Sequence, residues 1–240
     1  MSFLNFDPYQ PDPGGRRPTG PARYIECLFS NLAGLLLTNL LFLLCCLPVV
    51  TAGPALVALH KACCLALRGR SASLPGEFWR SFRANLGQGI LLGLAALPLL
   101  SWLFAACLAA ASRLALAPLA LCGLFLLACG GVAGYCFLLT AHMRLPLWQL
   151  FKNALILFVA GRFFSLAGTA FALAAAFALL LCLPISLPLL FLLGPCLAVY
   201  TFCFFGWKVA DEYIFIPYYQ AHPEQGRPEG YRFDAHGARL

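Results

Sequence analysis

Between Gly87 and Ala141 the chain carries a single charged side chain, Arg113. The uncharged stretches on either side, Gly87–Ala111 and Leu114–Ala141, are each long enough as helices to cross a bilayer core, which needs about 20 residues. Similar apolar runs fill most of the 240-residue chain, of which 62% is hydrophobic and only 10% charged. A soluble fold of this size could not hide that much apolar surface, because much of its exterior must face water. The same figures exclude intrinsic disorder. The 12 cysteines lie inside apolar stretches rather than in polar loops, so a secreted disulfide scaffold is a poor description. The chain reads as an all-α, polytopic transmembrane helical bundle.

Six membrane segments are expected. The first runs from about Tyr24 to Leu47, and Cys27, Asn31, Gly34 and Thr38 recur along it at helical spacing. This mildly polar stripe should face other helices, because an amide in hydrocarbon is costly without a partner. Pro48 to Pro54 then breaks the helix, with Gly53 permitting a tight turn and Pro54 suited to the first position of a new helix. The next segment, Ala55–Arg68, covers only about 20 Å and is expected to be a thin spanning or re-entrant helix. Gly87–Ala111, Leu114–Ala141, Phe163–Leu183 and Leu187–Trp207 complete the set. The pairs Gly89/Gly93 and Gly130/Gly134 have the spacing that lets helices approach closely, within the molecule by default. Gly194-Pro195 echoes Gly53-Pro54 as a second broken helix.

Two amphipathic segments interrupt these spans. In Gly76–Leu86, Phe78, Trp79, Phe82 and Leu86 fall on one face and Glu77, Arg80 and Arg83 on the other. After Pro146, Leu147, Trp148, Phe151 and Leu155 oppose Gln149, Lys152 and Asn153. Both read as helices lying in the membrane interface, aromatic side toward lipid or bundle and basic side toward headgroups. A shift of 69 residues superposes Trp79 on Trp148, Phe82 on Phe151 and Arg83 on Lys152, an internal repeat of span, interfacial helix and span.

The net charge of +7 resides in connectors. Counting six segments puts Arg113 alone on one side and the remaining connector cations on the other, so both termini and both amphipathic helices are expected in the cytoplasm. Residues 1–22 read as a flexible tail, 23–208 as the transmembrane domain and 209–240 as a polar tail. The lipid bilayer is the one partner that composition implies. No polar domain carries a basic face, so nucleic acid is not expected.

Chemistry-bearing constellations are sparse. His60, Cys63 and Cys64 share a helix face, and Cys45 and Cys46 could approach from the preceding helix as soft ligands, but no polar second shell is visible and no metal site is assigned. His60 and Lys61 are the ionisable groups nearest a midplane position. H-E-x-x-H, G-x-S-x-G and phosphate-loop motifs are absent, and Ser101 and Ser165 read as helix-packing hydroxyls. No catalytic residue and no cofactor are expected.

Asn39, then Pro48, Thr51, Gly53 and Pro54 within Leu47–Ala55, then Phe78, Trp79, Phe82 and Asn85, resemble the signature of the YesL family (domain of unknown function 624). The resemblance runs from about Arg23 to Tyr219 and is most specific between Asn39 and Gln88, with Ala52 standing where a β-branched residue is usual. It implies an integral protein of the bacterial cytoplasmic membrane. Genes of this family often neighbour binding-protein-dependent sugar importers, which implies an accessory or regulatory role in carbohydrate uptake beside an ABC-type transport complex or other membrane protein. On that expectation Arg80, Arg83 and Lys152, with Trp148 and Phe151 beside them, serve partner capture. The alternative is a small-solute or sugar facilitator acting alone through the broken helices.

Overall fold

The computed structural model describes residues 21–67, 73–143, 145–181, 193–210 and 213–214. Among these, nine α-helices and no strand are found: α1 (Pro21–Ser30), α2 (Leu32–Cys46), α3 (Ala52–Leu67), α4 (Leu74–Ala84), α5 (Leu86–Ser112), α6 (Leu116–His142), α7 (Leu147–Ala160), α8 (Arg162–Leu181) and α9 (Gly194–Ala210). A 3-10 turn, Val49–Thr51, leads into α3. The expected tails fall almost wholly outside the described residues, although Pro21 and Ala22 already belong to α1 and α9 continues to Ala210.

The charge-free stretches become α5 and α6, each 27 residues long. Their turn at Arg113 is a Schellman closure: Ala115 N–H donates to Ala110 O at 3.0 Å and Leu114 N–H to Ala111 O at 3.0 Å. Leu114 sits there at φ 51°, in the place glycine usually holds. The hairpin's open end is tied by Gln88, whose Nε2 donates to Leu145 O at 2.7 Å. The start of α5 therefore lies beside the start of α7, and the α4/α5 joint and the head of α7 share one end of the hairpin. Only 11% and 17% of the most apolar windows of α5 and α6 are buried, which leaves that apolar surface outside the bundle, as contact with a lipid bilayer requires.

The segment expected to be a thin spanning or re-entrant helix is a candidate span and the hub of the bundle. Its α-helical part is 16 residues, about 24 Å; with the 3-10 turn it forms a 19-residue apolar stretch, 67% buried. Ala55, Ala58, Ala62 and Ala66 of α3 are fully buried, and α3 packs against α2, α4, α5, α6 and α9. Small residues on successive turns let five neighbours close on one helix. From Leu74, packed on Gly34, to Gly89, packed on Pro54, the chain runs back along α3 through α4.

The first expected span is not one straight helix. It bends by 75° between Ser30 and Leu32, giving α1 and α2. The polar stripe does face other helices: Cys27 Sγ donates to Leu67 O at 3.6 Å, Asn31 Nδ2 to Ala66 O at 3.4 Å, and Thr38 is fully buried. A second bend, of 102°, separates α7 from α8, with Arg162 at φ 39°. Among the described residues, three helices are individually long and apolar enough to cross a membrane, and five candidate spans result if each bent pair is one. A sixth would require Gly194–Trp207, which is shorter. The expected span over 187–207 is thus helical only from Gly194 among the described residues, 182–192 lying outside them.

Candidate functional site

Asn39 lies in the middle of α2 and is fully buried. Its side-chain carbonyl accepts the backbone N–H of Cys196 at 3.1 Å. That N–H belongs to the first turn of α9, where no intrahelical acceptor exists, so Asn39 caps a helix that begins inside the protein. The broken helix at Gly194-Pro195 therefore does not present this N–H to a solute.

The Pro48–Pro54 break is closed in a similar way. Pro48 is extended and precedes the 3-10 turn. Thr51 Oγ1 lies 2.5 Å from Cys45 O, a carbonyl in the last turn of α2, and 2.7 Å from Pro48 O, which also accepts Thr51 N–H at 3.0 Å. Gly53 follows within α3, and a Cβ there would stand 2.1 Å from Gly89 O and 2.8 Å from Gly93 Cα. Gly89 in turn presses on Pro54. The small-residue pair of α5 thus packs within the molecule, on the Gly53-Pro54 corner. Gly134 plays the same part in α6, against the Phe202 ring.

α4 is delimited by its own side chains. Ser73 Oγ accepts Gly76 N–H at 3.2 Å as N-cap, Pro75 occupies the first turn, and Glu77 and Arg83 sit at the ends that the helix dipole favours for each sign. Asn85 separates α4 from α5 and donates Nδ2 to Ser81 O at 2.9 Å. The expected aromatic face divides. Phe78 and Phe82 enter the core with Leu74, whereas Trp79 is 40% exposed and Leu86 faces outward. Arg80 pairs with Glu77 at 2.5 Å, and Arg83 lies over the Trp79 ring at 4.9 Å.

In α7 the bundle takes Leu150, Ala154 and Leu157, and the aromatic face expected from the sequence is the outward one. Trp148 is 77% exposed and Phe151 50%, with Lys152 exposed beside them. The buried faces of α4 and α7 correspond as Leu74, Phe78 and Ser81 against Leu150, Ala154 and Leu157, a constant offset longer than the 69-residue shift. That shift aligns residue types but pairs buried Phe78 with exposed Leu147, so it is not the register in which the two helices pack.

His60, Cys63 and Cys64 are buried, but they do not converge as ligands: among the described residues no group of three His, Cys, Asp or Glu is placed to hold a metal. His60 Nδ1 meets Leu56 O at 2.8 Å, with its ring between Phe137 and Phe202, each 5.9 Å away. Cys63 Sγ lies 3.8 Å from Cys196 Sγ, while Cys45 and Cys46 pack against the apolar core. Ser165 does join helices, meeting Tyr135 Oη at 2.8 Å, but Ser101 is exposed and donates to Pro98 O of its own helix at 2.9 Å.

This is an α-helical bundle with several helices apolar enough for a membrane, whose buried polar groups largely serve its own backbone. Residues 35–107, from Leu35 in α2 to Cys107 in α5, match the family model described as Protein of unknown function, DUF624. The match contains Asn39, Pro48, Thr51, Gly53, Pro54, Phe78, Trp79, Phe82 and Asn85, the residues on which the resemblance was read. No curated protein and no solved structure matches the chain.

Proposed function

We propose that this protein is a non-enzymatic accessory component of the bacterial plasma membrane that docks a membrane-embedded transport complex through the outward face of α7. The partner class is the sugar-importing ABC transporter suggested by the family resemblance, with both termini and the α4/α7 end of the bundle in the cytoplasm. One observation carries the reading. Asn39, Thr51 and Asn85, the polar side chains of the signature, are engaged on backbone groups of the bundle, and its glycine, Gly53, lies against α5. The aromatic and basic side chains that face outward are Trp148, Phe151 and Lys152 on α7, with Trp79, Arg80 and Arg83 on α4. Exposed Trp beside a cation is the composition of interface anchors.

A solute facilitator would need polar groups free to meet a substrate, and the broken helix that could have supplied them is capped by Asn39. The test is affinity purification of the full chain from its native membranes. Subunits of a transport complex are expected with the wild type and are expected to be lost from the Trp148→Ala/Phe151→Ala/Lys152→Gln variant. Capture of the same subunits by both forms, or sugar flux through vesicles holding the purified chain alone, would overturn the reading.

A further inference from the structure

We infer that the outer face of α4 binds the phosphate of an anionic phospholipid headgroup, with Arg83 making the contact and Trp79 positioning it. This does not depend on partner capture by α7.

The site is a column of stacked rings that runs from the core to the surface. Phe78, fully buried, stacks on Phe82 with centroids 6.3 Å apart and planes 11° apart. Phe82 stacks on Trp79 at 5.6 Å and 12°. Arg83 covers the Trp79 ring, its Cζ 4.9 Å from the centroid. A guanidinium held by its π-face keeps its N–H edge available, and that planar fork matches a phosphate bidentately.

Charge and place choose the ligand. Arg80 is already matched by Glu77 at 2.5 Å, whereas Arg83 has no ion pair among the described residues. Arg83 is also the last charged residue before α5, which begins at Leu86 and carries no charge over 27 residues. Since the apolar surface of α5 lies outside the bundle, its first turn marks the depth at which acyl chains give way to headgroups. The acceptor abundant at that boundary is the lipid phosphate, and an exposed Trp is the side chain favoured there. Glu77 does not cancel the site, because its carboxylate is engaged with Arg80.

The full chain should be reconstituted in nanodiscs of equal phosphatidylglycerol and phosphatidylcholine, released into mild detergent, and its retained lipids counted by native mass spectrometry. Preferential retention of phosphatidylglycerol is expected, falling about fivefold on Arg83→Gln, the worth of one cation at an anionic surface. Glu77→Gln/Arg80→Gln, which removes the ion pair and keeps the local net charge, is expected to leave it unchanged. Trp79→Leu keeps the charge but removes the ring beneath it, and a loss of about twofold is expected, which keeps the test decisive should Arg83→Gln fail to fold. Equal retention by wild type and Arg83→Gln, an equal loss in Glu77→Gln/Arg80→Gln, or displacement of the lipid by millimolar inorganic phosphate would each overturn the inference.

Discussion

The side chain of Asn39 in α2 caps α9 by accepting Cys196 N–H at 3.1 Å, although the two residues lie 157 positions apart in the chain. A buried amide in this position fixes where a late helix starts relative to an early one. Replacing it with alanine leaves an N–H without its acceptor inside the bundle. Asn39→Ala is expected to lower stability by about 1–3 kcal/mol, read from unfolding in graded sodium dodecyl sulfate.

The crossing of α3 and α5 is set by backbone contact at Gly53. A methyl there would meet Gly89 O and Gly93 Cα, neither of which can swing aside as a side chain could. Gly53→Ala is expected to cost at least about 1–3 kcal/mol, whereas Gly87→Ala, whose added methyl meets nothing within 4 Å, should be tolerated. The same unfolding measurement on the pair separates a specific crossing from a general intolerance of change near the head of α5.

The two amphipathic helices differ in which aromatic the bundle needs. Phe78 is fully buried and Trp148 is 77% exposed. Phe78→Ala is expected to cost about 3–5 kcal/mol, and Trp148→Ala to stay within about 0.5 kcal/mol. Thermal unfolding in one detergent checks both, and reversed magnitudes would exchange the inward and outward faces.

Leu114 closes the α5/α6 hairpin at φ 51° with its side chain 86% exposed. A left-handed residue bearing a Cβ costs roughly 1–2 kcal/mol, and an exposed side chain gives little back. Leu114→Gly is therefore expected to raise the unfolding midpoint; a lowered midpoint would show that the Leu114 side chain stabilises the turn.

Much of the bundle was legible in the sequence where charge spoke plainly. The absence of charge on either side of Arg113 located α5 and α6 nearly to the residue, and the amphipathic pattern over Gly76–Leu86 located α4 to within two residues of Leu74–Ala84. Other features gave no local signal. The 75° bend at Asn31 has no proline to mark it, and the apolar pattern continues through it. In α7 both faces are largely apolar, with Leu150 and Leu157 inward and Leu147 and Leu155 outward, so periodicity alone could not say which one the bundle would take. The central place of α3 depends on alanines that read as bland in sequence and matter only once five helices crowd against them. The roles of Asn39 and Gln88 are long-range, and only the fold supplies their partners Cys196 and Leu145.

The account turns on one arrangement, a lipid-embedded hairpin of α5 and α6 that leaves α4 and α7 at the same membrane surface. Amine labelling tests it directly. The Arg80→Lys variant should be treated with a membrane-impermeant amine reagent in sealed right-side-out and inverted vesicles, and peptide mass spectrometry should read positions 80 and 152. Modification of both from one and the same side is expected. Modification of the two from opposite sides, or release of the protein from membranes without detergent, would contradict the account.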